Sequence, residues 1–227
     1  MSNPLTLRQW ITIAAMVVVV PYMANQVRKP TRWVGRYFLW RMNQSHDGLT
    51  DWGLEHVAIG NAVAILDVGC GGGRTIQKLA GASPGGHVSG VDYSIGSVEV
   101  SRSLNADLLA AGRVDVQQAT VSKLPFPDGS FDLVTAVETH YYWPDLANDA
   151  REVLRVMRPG GVFLVIAEAY KGRYGFFYQL AMAPLRAKLM SADEHRAWLE
   201  GAGFADVQVS EARGRGWICV RGRRPAA

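Results

Sequence analysis

The sequence predicts an α/β protein. We expect a Rossmann-like, doubly wound, mostly parallel seven-stranded sheet with an antiparallel C-terminal edge and an N-terminal helical extension. Three observations predict it. From Ala62 onward, short apolar runs alternate with helical patterns, which demands a parallel sheet covered on both faces. The first run, Val63–Val68, ends in Gly69-x-Gly71-x-Gly73, a turn that lets backbone approach a ligand and aims N–H groups at it. The second run ends at Asp92, 23 positions after Gly69, where an acid can accept hydrogen bonds from ribose hydroxyls.

The elements follow in order. Trp10–Ala24 is an uncharged, apolar run of 15 residues, short of the ~20 that a spanning helix needs. A signal peptide fits poorly, because only Arg8 leads the run and no small-x-small site ends it. Three readings stay open for it: packing on the domain, packing on a second subunit in a homodimer, or peripheral membrane contact. In the last case Arg28, Lys29, Arg32, Arg36 and Arg41 would hold the rest of the chain on the cytoplasmic side. Residues 31–60 are expected to be helical, with Trp33, Tyr37 and Trp40 forming a packing stripe. Ser45–Gly48 reads as a break, after which Thr50 or Asp51 caps a helix running through Val57. Strands follow at 62–68, 87–92, 114–118, 131–137 and 162–168, with helices at 72–81, 94–111 and 145–157 between them. A helix at 191–201 precedes strands 205–210 and 216–222, which form the antiparallel edge.

The glycine turn also indicates its ligand. A dinucleotide fingerprint would place another glycine after the third position, and Arg74 stands beyond Gly73 instead. Asp67, two places before the first glycine, would repel a pyrophosphate but suits an ammonium group. A ribose, an ammonium and no pyrophosphate describe S-adenosylmethionine. The runs ILDVGCGGGRT, GVDYS, LPFPDGSFDLV and RPGG, in this order, resemble the class I S-adenosylmethionine-dependent methyltransferases. The likeness is to the broad subgroup that includes the ubiquinone and menaquinone biosynthesis enzymes, and it covers roughly residues 60–220. It divides the chain into an N-terminal apolar segment and helical cap, 1–60, and a methyltransferase domain, 61–227.

The resemblance implies that Gly69, Cys70 and Gly71 face the methionyl part and that Asp67 engages its ammonium. Asp92 would take both ribose hydroxyls, and Tyr93 would lie against the adenine. Many relatives carry Gly-Asp-Ala before LPF, where this chain has Ala119-Thr120-Val121. The adenine amino contact thus falls to Thr120, to Ser122 or to backbone, with Val121 beside it. The fourth strand ends in Val137 and Glu138, which complete the expected cofactor set. His140 is the expected general base for a hydroxyl or acidic-carbon acceptor. Tyr141 is the second candidate catalytic residue, with Tyr142 and Trp143 beside it able to hold a sulfonium by its charge or stack on a flat acceptor. His46, Trp52 and His56 are candidate pocket residues from the cap, and Gly175–Gln179 a candidate far wall. The aromatic content of these segments suggests a small hydrophobic or aromatic acceptor.

The net charge is +4, with arginines crowding residues 28–41 and 213–224. No RNA- or DNA-binding motif accompanies that charge, so nucleic acid is not an expected partner. Two widely separated cysteines, Cys70 and Cys219, make no disulfide framework and indicate a reducing, cytoplasmic setting. No cysteine–histidine spacing suggests a metal. Two alternatives compete: a nicotinamide-dependent oxidoreductase, and a non-catalytic membrane- or partner-binding module on the same fold.

Overall fold

A computed structural model describes Tyr22, Gln26 and residues 30–168, 170–171 and 187–226. The apolar run before Tyr22 and the Gly175–Gln179 segment lie outside the described residues. Two helices, α1 (Arg32–Ser45) and α2 (Asp47–Leu54), precede the sheet. Strand β1 (Ala64–Val68) leads through the glycine turn into α3 (Arg74–Ala82), then β2 (His87–Asp92). Helices α4 (Ile95–Leu104) and α5 (Ala106–Ala110) lead to β3 (Val114–Gln118) and β4 (Phe131–Val137). A 3-10 turn at His140–Tyr142 comes before α6 (Leu146–Val156) and β5 (Met157–Ala167). Finally α7 (Ala192–Ala202) precedes β6 (Ala205–Ala212) and β7 (Trp217–Arg223).

The seven strands lie in the order β3-β2-β1-β4-β5-β7-β6. All pairings are parallel except those of β7, which runs antiparallel to β5 and β6. Strand order reverses between β1 and β4, so the loops leaving their carboxyl ends splay apart and open a crevice. Strand periodicity explains the two cores. Leu66, Val134, Phe163 and Val165 face one side, where they meet Val153 of α6 and Leu199 of α7. Ile65, Leu133, Leu164 and Ile166 face the other, against Leu49 of α2 and Ile76 and Leu79 of α3. Each such buried aliphatic chain contributes ~1.5–3 kcal/mol, so both layers are held by burial rather than by the strands alone.

The structure departs from expectation at four places. Helix α2 begins at Asp47, not at Thr50 or Asp51, and ends at Leu54. Thr50 sits inside it and returns its hydroxyl to the His46 carbonyl at 2.8 Å. Residues 94–111 form two helices, because Asn105 turns its side-chain amide onto the carbonyls of Gly73 (3.1 Å) and Ser101 (2.8 Å). Strand β5 starts at Met157, and the Arg158–Gly161 turn is absorbed as an irregularity opposite Phe131/Leu133. The stripe of Trp33, Tyr37 and Trp40 is not packed: these residues are 78%, 55% and 52% exposed. Leu39, Met42, Asn43 and His46 face inward instead. Helix α2 is seated on the sheet itself, where a Cβ at Gly53 would collide with Ile166, and Cys219 Sγ lies 3.7 Å from the Gly53 carbonyl.

Candidate cofactor and acceptor site

A cavity of about 270 Å³ opens at the carboxyl ends of β1, β2 and β4, roofed by α1 and α2. Its floor is the glycine turn. Gly69 and Gly71 adopt φ of 75° and 51°, a region that costs other residues energy. A side chain at Gly69 would also strike Thr139. Both Gly69 N and Cys70 N donate to the Val91 carbonyl, at 2.8 and 3.0 Å, which ties the turn to β2. Burial pushes the Cys70 thiol well above its usual range, so it remains protonated and is no nucleophile.

Asp92 is the acid of this floor. Its Oδ2 accepts from Gly71 N at 3.0 Å and its Oδ1 from Ser94 N at 2.8 Å. Ser97 donates its hydroxyl to the same carboxylate, so of its ~4 acceptor sites one still faces a ligand hydroxyl. Burial raises the Asp92 pKa, opposed by the Ser94, Gly71 and Ser97 hydrogen bonds. Tyr93, Thr120, Val121, Val137 and Glu138 line the same cavity as Gly69, Cys70, Gly71 and Asp92. Ser122 does not. Its hydroxyl is committed to Asp149 at 2.6 Å.

Three expected site residues lie elsewhere. Asp67 is 1% exposed and sits in mid-strand behind the turn, its Oδ1 accepting from Thr135 Oγ1 at 2.7 Å. Burial, reinforced by the charge of Asp92, pushes its carboxyl up to about 7. Asp67 is not among the residues that line the cavity. His140 is fully buried and does not line the cavity, because the 3-10 turn points it into the core. There its Nε2 lies 2.9 Å from His195 Nε2 and its ring stacks on Trp198 at 5.7 Å. Burial, with His195 beside it, drops the His140 pKa well below 6.5. The general-base expectation for His140 is corrected on that ground: the ring has no path to an acceptor. Tyr141 is also turned inward, and its hydroxyl donates to Glu138 Oε2 at 2.6 Å. It holds a cavity residue and does not itself face the cavity.

Glu138 is the focus of the acceptor end. Its backbone is left-handed, φ 57°, a costly setting for a glutamate that concentrates at functional positions. Its Oε1 accepts from Glu168 N at 2.5 Å. Burial raises its pKa, opposed first by the charge of His46. His46, at the α1–α2 junction, brings Nε2 to 3.9 Å from Glu138 Oε2 and 3.8 Å from Glu168 Oε1. The ligand-capable atoms of His46, Glu138 and Glu168 all lie within 4.8 Å of one another. No sequence spacing announced this trio, because its members stand 92 and 30 positions apart.

Of the cap residues expected in the pocket, His46 lines it. Trp52 and His56 do not: Trp52 packs on Trp217, and His56 Nδ1 pairs with the Trp52 carbonyl. Tyr142 and Trp143 both line the cavity, and Trp143 serves the core as well by stacking on Phe163 at 6.2 Å. Sequence reasoning missed Asn43, whose amide reaches the Gly72 carbonyl at 3.2 Å, and missed Met42 and Thr139 in the lining. The spacing of residues 39, 42, 43 and 46 on one helix face could have found them.

The comparisons with known proteins agree with this geometry. The family described as "Methyltransferase domain" matches residues 66–165. The chain is 34% identical over 160 residues to the 2-methyl-6-phytyl-1,4-hydroquinone methyltransferase of a Synechocystis species, covering 70% of this chain and 48% of that protein. It is 30% identical over 156 residues to the O-methyltransferase rstn1 of Aspergillus nomiae, covering 66% and 67%. Among solved structures it superposes on the geranyl diphosphate C-methyltransferase of Streptomyces coelicolor, solved with Mg2+, a substrate analogue and S-adenosyl-L-homocysteine. That match has a TM-score of 0.67 at 15% identity and covers 78% of this chain and 76% of that one. The chain spans about half the length of most curated relatives it matches. The glycine turn, the acid ending β2, the sheet order and these relatives converge: the chain belongs to the class I S-adenosylmethionine-dependent methyltransferases.

Proposed function

We propose that the chain transfers a methyl group from S-adenosylmethionine to a small hydrophobic or aromatic acceptor. The observation that carries this is one cavity holding Asp92 and the glycine turn at one end and His46 and Glu138 at the other. The residues fit the cofactor: Asp92 keeps acceptor capacity beside its bonds from Gly71, Ser94 and Ser97, and Gly71 has only Leu39, at 4.0 Å, near its missing Cβ. When bound, the cofactor supplies an electrophilic methyl group on a sulfonium. Asp92 would receive the ribose hydroxyls, Thr120 would accept from the adenine amino group, and Tyr93 would offer a ring face. Glu138 would supply negative charge toward the sulfonium, and Tyr141 and Glu168 N fix its orientation. Displacement needs acceptor and methyl carbon in line at contact distance, and holding them so is worth several kcal/mol. Met42, Val137, Tyr142 and Trp143 give the cavity apolar lining for such an acceptor.

His46 takes the proton of a hydroxyl or acidic-carbon acceptor. It lines the cavity, and the carboxylates of Glu138 and Glu168 stand where they stabilise the imidazolium formed. The hydroquinone and demethylmenaquinone methyltransferases among the relatives support an acceptor of aromatic, apolar kind. Peripheral membrane contact through residues 10–24, homodimerisation and the division at residue 60 are proposals resting on the sequence. Calorimetric titration tests the core of the reading. We expect micromolar binding of S-adenosylmethionine and of its demethylated product, and no heat with either overturns it. An NADH titration that shows binding instead restores the oxidoreductase alternative.

A further inference from the structure

We infer that the outer face of α1 is a docking surface for an anionic lipid bilayer. Trp33, Arg36, Tyr37, Trp40 and Arg41 recur at the spacing of one helix face, and all five are exposed. Three large aromatics in such positions form an apolar patch of the kind that marks an interaction site. The rings of Tyr37 and Trp40 lie 6.0 Å apart and make a continuous surface. Charge identifies the occupant. Residues 28–46 contain Arg28, Lys29, Arg32, Arg36 and Arg41 and no acid. Tyr and Trp seat at headgroup depth, and arginine stems reach past them to phosphate. A second copy would set Arg36 and Arg41 against the same two arginines, so self-association through this face is disfavoured.

The placement has a functional meaning. The opposite face of the same helix, through Leu39, Met42, Asn43 and His46, lines the cavity. One helix therefore separates the docking surface from the acceptor site, so an apolar acceptor dissolved in the bilayer would arrive beside its destination. This delivery role rests on the apolar-acceptor reading; the docking itself does not. No helix of the described residues is long and apolar enough to cross a membrane; the contact inferred is docking of the α1 surface.

The full chain, without cofactor or acceptor, is sedimented with vesicles of phosphatidylglycerol and phosphatidylcholine, or of phosphatidylcholine alone. We expect salt-sensitive binding that prefers the anionic vesicles. Trp33→Ser/Tyr37→Ser/Trp40→Ser and, separately, Arg36→Glu/Arg41→Glu should each weaken it about tenfold or more. Both variants should bind S-adenosylmethionine as wild type does, which shows that they fold. Wild type that stays in the supernatant overturns the inference, as does undiminished pelleting of both variants. Light scattering that shows a wild-type dimer made monomeric by the aromatic variant also overturns it, by making this a face between copies. None of these outcomes bears on methyl transfer, which cofactor titration tests separately.

Discussion

The two ends of the cavity are built in different ways. The nucleoside end comes from residues 69–73 and 91–97, two short stretches on adjacent parallel strands, with nearly every polar group fixed by backbone. The acceptor end is assembled from His46, Glu138 and Glu168, which three separate elements bring together. The first is a local motif and tolerates little change. The second is a meeting of distant side chains, free to vary without disturbing the fold. Binding should therefore fail when the first is altered, and chemistry alone when the second is.

The largest effect is expected from Asp92→Ala. It removes the hydroxyl acceptors and the anchor of Gly71 N and Ser94 N, charge-assisted bonds worth ~1.5–3 kcal/mol each. Calorimetry should show cofactor affinity lowered by at least about 100-fold. Next is His46→Gln, for which kcat should fall about 100-fold while cofactor affinity changes less than about twofold. A variant that keeps wild-type kcat would hand the proton to another group, and a matching loss of cofactor affinity would erase the distinction between the two ends.

A third prediction concerns stability. His140 and His195 are both held neutral by burial, with pKa values lowered from 6.5. Their contribution is complete above 6.5 and is lost as pH falls below it, because the unfolded chain then binds protons that the folded one refuses. The urea midpoint should drop between pH 7 and 5.5, and His140→Phe should flatten that slope without moving the pH–rate profile. Asp67 acts with the opposite sign. Its folded pKa, raised to about 7, makes its contribution full at low pH and lost as pH rises through 7. Asp67→Asn should remove that loss, which runs from 3.8 up to about 7. The smallest effect is expected from Arg74→Gln. It breaks the exposed pair with Asp47 at 2.8 Å and should change stability by no more than ~0.5 kcal/mol.

The same contrast explains how much the sequence disclosed. The succession of strands and helices, the glycine turn and Asp92 were legible because each is written in consecutive residues whose backbone needs are local. The acceptor end was not. His140 looked like a base because it follows β4, yet a single 3-10 turn sends it and Tyr141 inward while Tyr142 and Trp143 face the cavity. No alternation rule foretells such a turn. His46 was visible only as one cap histidine among others, since its meaning depends on two carboxylates far along the chain. On α1, two helical stripes competed, and the more aromatic one was taken as the packed one. The less apolar stripe won because Asn43 reaches Gly72 and Leu39 is buried beside the cavity.

Asn105 interrupts a helix to grasp the far side of the glycine turn. With Val91 and Asp92 holding the near side, that turn is clamped at both shoulders. Among the described contacts, α1 meets the turn through one amide–carbonyl bond at 3.2 Å. The floor that meets the nucleoside is thereby fixed in shape, so a variant that needs a roomier cavity has to find the space along α1.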